Sequence, residues 1–244
     1  MKIDHLVVNV DKKYQADKDV IESIRQSGIP YEPSWGKGTK GFKASNIWIG
    51  NEYFEMIRIL KKDGGGWKPD WTQLYNQGHR GMICLMLDVE DIDSEHERMR
   101  KANISSSKPE WLEFKWFFNL LTRRMPWKNC YVPFFEGVPF QLGLQQMKDQ
   151  KARDFMSDYM VPNTRETGIT GIKSITMNGP FTDRDFELIA NMFPNHIVSG
   201  QRSVYVTLDN NQKLSFTKAE AYTVDVETYS DKPIELQIES VTLK

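Results

Sequence analysis

The 244-residue chain has little of what would narrow its chemistry at once. It holds two cysteines, Cys84 and Cys130, and no Cys-x-x-Cys pair. A zinc site built from cysteines is thereby excluded, and the two residues read as free thiols of a reducing compartment. No window approaches ~18 unbroken apolar residues, so no transmembrane helix is predicted. The opening Met1–Val10 stretch is broken by a charge and a histidine and lacks the core of a secretory leader. The expected location is cytoplasmic. Charge of one sign is also missing. The formal net charge is -1, and Lys12-Lys13 and Lys61-Lys62 are short solvated runs. Composition therefore offers no pull toward nucleic acid or anionic lipid. With 39% hydrophobic and 27% charged residues the chain is an ordinary globular one, too apolar and too neutral for disorder.

What is present is a repeated order of elements. Ile3 to Val10 alternates, with Leu6, Val8 and Val10 on one side and His5, Val7 and Asn9 on the other, the period of a strand with two different faces. A helix is predicted from Asp17 to Ser27, with Val20, Ile21 and Ile24 at helical spacing and Gly28 as its left-handed cap. Strands follow at Phe42–Ile49 and Tyr53–Leu60 around the turn Gly50-Asn51-Glu52. The order returns at Gly81–Leu87. Ser94-x-x-Glu97 reads as a capping box, and Asn103 takes the role of Gly28. Strands are predicted at Leu112–Phe118, Cys130–Phe135 and Pro139–Gln145.

A fainter third copy has a strand at Gly171–Met177, a helix capped by Thr182, strands at Ser203–Leu208 and Lys213–Thr217, and an alternating end at Pro233–Leu243. The predicted division is residues 1–146 as paired modules, 147–168 as a partly helical linker, and 169–244 as a third unit. The fold class is α+β: tandem βαβββ modules forming a curved mixed-sheet cleft, with a third partial module at the C-terminus.

The opening Asp4-His5-Leu6-Val7-Val8-Asn9-Val10, the loop Gly38-Thr39-Lys40-Gly41, the strand Tyr53-Phe54-Glu55-Met56-Ile57 and the strand Val138-Pro139-Phe140-Gln141-Leu142 together resemble the vicinal oxygen chelate superfamily, in its glyoxalase-like branch. The resemblance covers residues 1–146 well and the rest loosely, and it speaks for fold more than for activity. It implies a metal site built from the first and last strands of two modules. That points to His5 and Glu55 in the first module and Gln141 in the second as ligands, with Glu55 also the catalytic candidate. Imidazole and carboxylate suit a divalent Zn, Mn, Fe or Ni ion acting as a Lewis acid. Gln141 is a poorer ligand than a carboxylate. The module-two counterpart of His5 falls on Cys84 or Leu85, whereas about three good protein ligands are usual in a catalytic site.

Each residue also has a plainer reading. His5 could bond a neighbour, Gln141 could be a structural amide, and Cys84 a small core residue. His96 and His196 read as surface residues. Trp48 and Trp116 are candidate substrate-binding walls for a small organic ligand, though aromatic strands more often serve a core. Three functions stay open: a metal-assisted lyase, isomerase or dioxygenase on a small oxygenated molecule, a sequestering protein of the bleomycin-resistance type, and an interaction module whose C-terminal copy pairs a homodimer. The expected partner is a small molecule, with no nucleic acid and no membrane.

Overall fold

The computed structural model describes residues 1–116, 121–195 and 197–244, with side chains of all these except 114–116, 121–123 and 199. The first sheet is made of β1 (Lys2–Asn9), β2 (Phe42–Ile49), β3 (Glu52–Ile59), β4 (Gly81–Asp88), β5 (Glu110–Trp116), β6 (Leu121–Tyr131) and β7 (Gln141–Met147). Its strand order is β2-β3-β1-β4-β7-β6-β5. β1 runs parallel to β3, β4 parallel to β7, and β1 and β4 meet antiparallel at the centre. Two modules thus lie side by side about an approximate two-fold axis between β1 and β4.

The helices fall where capping chemistry puts them. α1 (Lys13–Ala16) leads into α2 (Lys18–Gln26), capped by the Asp17 side chain. Gly28 and Asn103 both take positive φ, 87 and 56, and end the module helices as the sequence predicts. The second helix differs at its start. α4 (Ile92–Lys101) is capped by Asp91, which accepts from Ser94 N and Ser94 Oγ, so the Ser94 capping box gives way to a cap three residues earlier. Unpredicted is α3 (Pro69–Asn76), between the modules. α5 (Gln150–Tyr159) follows β7 and is tied to the sheet by Arg153, whose guanidinium grips buried Asp88 at 2.7 and 2.9 Å.

The second sheet extends the third unit read from sequence into a further pair of modules. β8 (Ile169–Gly179), α6 (Asp183–Met192), β9 (Ile197–Ser199), β10 (Ser203–Thr207) and β11 (Lys213–Lys218) form a complete βαβββ unit. β12 (Thr223–Ser230), β13 (Leu236–Ile238) and β14 (Val241–Leu243) form a fourth unit with no helix. The order β13-β14-β12-β8-β11-β10-β9 repeats that of the first sheet, with its full module first in the chain. One apolar core runs between the sheets, joining Leu6, Val8, Phe54 and Leu85 to Ile175, Met177, Phe216 and Val226.

Polar contacts also cross the junction, and one set centres on buried Glu52. Gln212 Nε2 donates to Glu52 Oε1 at 3.0 Å, and Ile172 N donates to Glu52 Oε2 at 3.2 Å. Burial pushes the Glu52 carboxyl up to about 7, against the pull of those hydrogen bonds. The folded chain therefore holds this proton above the unfolded value of 4.5. The stability it confers is complete below that value and is lost as pH rises through about 7. Denaturant unfolding at pH 5 and pH 8 should show a loss on the order of 3 kcal/mol. Glu52→Gln should be less stable throughout, since its amide meets a donor, and should lack this component. Equal pH dependence in the two proteins would assign the titration elsewhere.

Candidate functional site

The face of the first sheet turned away from the shared core carries the polar row. Alternation places His5 and Val7 of β1, Tyr53 and Glu55 of β3, Asn46 and Trp48 of β2, Cys84 and Met86 of β4, Gln141 and Gly143 of β7, and Asn129 and Tyr131 of β6 on one side. His5 is level with Tyr53, and Val7 with Glu55. The two side chains named from sequence meet here: His5 Nε2 lies 4.0 Å from Glu55 Oε2.

The imidazole is held on two sides. Its ring stacks on Tyr53, with centroids 4.5 Å apart and planes at 16°. Asp4 Oδ1 lies 2.5 Å from His5 Nδ1. A carboxylate there favours a proton on Nδ1 and turns Nε2 toward Glu55. Glu55 is 22% exposed and His5 8% by side chain, so the pair is largely buried while Glu55 still reaches solvent. Burial raises the Glu55 carboxyl above its ordinary value; His5 pulls it down and Asp4 pushes it up. Tyr53 is raised well above its ordinary value by burial, then by Asp4 and Glu55. An acid–base pair with a carboxylate behind the imidazole can take a proton from a bound molecule and return it.

The second half of the cleft is different in kind. Within the unbroken stretch, His5 pairs with Met86 and Val7 with Cys84. A two-fold axis through that stretch carries His5 onto Cys84 and Val7 onto Met86. Because Glu55 lies beside Val7, its counterpart lies beside Met86, and that residue is Gly143. Gln141, beside Cys84, is the counterpart of Tyr53. The sequence alignment that set Gln141 at the glutamate position is therefore off by two residues. A side chain at Gly143 would require Met86 to move: a Cβ there would come within 2.3 Å of Met86 Sδ and 3.1 Å of the Tyr131 ring.

Gln141 has a different occupation. Its Oε1 accepts from Trp71 Nε1 at 2.5 Å, and its Nε2 donates to Val132 O at 2.8 Å. Trp71 comes from α3, which crosses this face and packs with Trp67 on Phe42, Ala44, Ile57, Ile83 and Cys84. The Lys68 ammonium lies over the Tyr131 ring, 3.2 Å from its centroid. Hollows among Met1, Arg98 and Met192, and along α4 at Asp91 and Lys101, lie away from this row.

Solved structures share the architecture. A hypothetical protein from Staphylococcus aureus superposes with a TM-score of 0.69 at 13% identity, over 100% of this chain and 98% of that one. The fold is the tandem βαβββ one of glyoxalase-like proteins. Methylmalonyl-CoA epimerases from Streptomyces coelicolor (TM-score 0.42, 11% identity, 60% of this chain and 94% of that one) and Mycobacterium tuberculosis (0.41, 14%, 62% and 91%) overlap in part, too loosely to bear on chemistry. No family model matches the chain, and no curated protein matches it in sequence.

The divalent metal implied by the resemblance does not fit the donors present. His5 and Glu55 supply two, and their two-fold counterparts are a thiol and a glycine. Burial raises the Cys84 thiol far above its ordinary value, which opposes the thiolate a metal needs. Among the described residues no group of three or more His, Cys, Asp and Glu side chains is placed to hold an ion. Trp48 is 2% exposed, edge-on to Tyr53 and Tyr159 at 5.3 and 5.6 Å, and backs the wall rather than fronting it. Trp116 ends β5, and its side chain lies outside the described residues, as does His196. Sequence reasoning passed over Asp4, Tyr53, Tyr131, Lys68 and Trp71. Asp4 had a signal, its place beside His5; Lys68 and Trp71 had none within their own segment.

Proposed function

We propose that this protein is a glyoxalase-like acid–base catalyst acting on a small oxygenated organic molecule, with Glu55 as the base. The observation that carries this reading is the His5–Glu55 approach of 4.0 Å with Asp4 behind the imidazole. Glu55 removes a proton from carbon next to a carbonyl, and the carboxyl so formed returns it. His5, oriented by Asp4, donates to or accepts from the oxygen of the same molecule. A raised carboxyl makes the better base, provided it is ionised, so activity rises with pH through its titration. Tyr53 and Tyr131 supply flat walls for a ligand of few carbon atoms.

The test follows the proton. Hydroxyacetone, dihydroxyacetone and a set of 2-oxo acids are incubated in D2O with the protein, and exchange at the carbon next to the carbonyl is read by proton NMR. Exchange should exceed the buffer rate and fall by about 100-fold or more in Glu55→Gln. Cleft signals that shift with ligand while no compound exchanges would replace catalysis by sequestration, a role for which the apolar half at Met86, Gly143 and Tyr131 is suited.

A further inference from the structure

The acid–base reading leaves one charged group of the cleft without a use. Lys68 stands immediately before α3, and its ammonium lies 3.2 Å from the centroid of Tyr131 and 5.1 Å from that of Trp71. Burial draws it down to about 8, while Cys84, Asp70 and Glu110 act in the opposite sense from a distance. Among the described residues no carboxylate forms an ion pair with it. Aromatic faces attract an ammonium by only ~0.5–2 kcal/mol, less than a charged hydrogen-bond partner gives. The chain has placed a cation in a half-buried cleft and has not neutralised it.

Its position gives that charge a meaning. Tyr131 is level with Gly143, and the missing side chain there lets Tyr131 and Met86 close over β7. Lys68 thus stands over the half of the cleft where the counterparts of His5 and Glu55 are a thiol and a glycine. Lys68 and Glu55 both act electrostatically on the Cys84 thiol, with opposite sign. The cleft holds a base at one end and an ammonium at the other.

We propose that Lys68 binds the anionic group of the cleft's ligand, and that the ligand is a small carboxylate bearing a carbonyl or hydroxyl group. The carboxylate meets the ammonium between Tyr131 and Trp71, and the oxygenated carbon lies toward His5 and Glu55. One ammonium between flat rings matches a planar monoanion; a phosphate would call for more donors than this end offers. The assignment rests on the acid–base reading of the His5–Glu55 pair and adds the substrate class.

The experiment compares anions with their neutral esters. Pyruvate, 2-oxobutyrate, phenylpyruvate and lactate, and the methyl ester of each, are titrated into the full chain. Shifts of the Trp71 indole and Met86 methyl signals are followed by NMR. Lys68→Met keeps an unbranched stem over Tyr131 and removes the charge, and Lys68→Arg keeps the charge. At least one acid should bind 10-fold or more tighter than its ester. Lys68→Met should abolish that preference, and Lys68→Arg should retain most of it. Acid and ester binding equally, with both unmoved in Lys68→Met, would overturn the role of Lys68 and leave the acid–base reading standing if Glu55-dependent exchange of hydroxyacetone persists. No shift with any probe, together with no exchange, would overturn both.

Discussion

Replacing Trp71 with alanine is expected to lower stability by about 3–5 kcal/mol and to open the cleft from the α3 side. The indole is 3% exposed and packs in the small second core with Phe42, Ala44 and Ile57. Its rings meet Trp67 and Tyr131 edge-on at 5.8 and 5.9 Å. Alanine removes this contact area and also leaves the Gln141 oxygen without its donor. Trp71→Phe keeps most of the packing and loses only the N–H, so its expected loss is about 1–3 kcal/mol. Urea unfolding followed by circular dichroism measures both. Opening is read independently by the rate at which an aromatic disulfide reagent titrates Cys84, which is fully buried in the intact chain. A loss under ~1 kcal/mol with unchanged Cys84 reactivity would mean that α3 does not close this face.

The second large effect is a gain. On the two-fold register, a metal centre is completed by Cys84→His with Gly143→Glu, adding Met86→Ala because the Met86 sulfur occupies the space a side chain at position 143 requires. His5 and Glu55 then gain their counterparts, and four donors of suitable type face one point. Calorimetric titration with zinc or manganese should move from weak binding to a Kd of about 1 μM or tighter, roughly -8 kcal/mol. Gln141→Glu alone should bring no such gain. It is the two-fold counterpart of Tyr53 instead of Glu55, and its carboxylate would face Val132 O where the amide now donates. That substitution should instead destabilise the fold by about 1–3 kcal/mol. Tight binding in Gln141→Glu with none in the triple variant would reverse the register assigned here.

These two results bear on one another. The first-module half of the cleft holds an ionisable pair, and the other half holds a thiol and a glycine at the two-fold related positions, packed by Met86, Tyr131 and Trp71. A side chain at position 143 and the present position of the Met86 sulfur exclude each other, so Gly143 and the seating of Met86 go together.

The sequence by itself determined what is local. Alternation in Ile3–Val10 separated Leu6, Val8 and Val10, which are in the shared core, from His5 and Val7, which are not. Gly28 and Asn103 marked helix ends because left-handed backbone is cheap only for such residues. The modular fold class was legible because the order of these signals repeats. The approach of His5 to Glu55 was legible only through a family pattern. Tertiary structure decided the rest. An alternating strand is equally satisfied by any shift of two residues, so nothing in Val138–Leu142 told whether Gln141 or Gly143 lies beside Met86; pairing with β4 chose. The fourth module stayed hidden because β12 has no helix after it, and its short alternation, Val224 and Val226 among polar residues, gains meaning only against β8. α3 carries too few apolar residues to show a helical face, since Trp71 alone seats most of it. Lys68 reads as an ordinary surface lysine until Tyr131, 63 positions away in the chain, is folded beneath it.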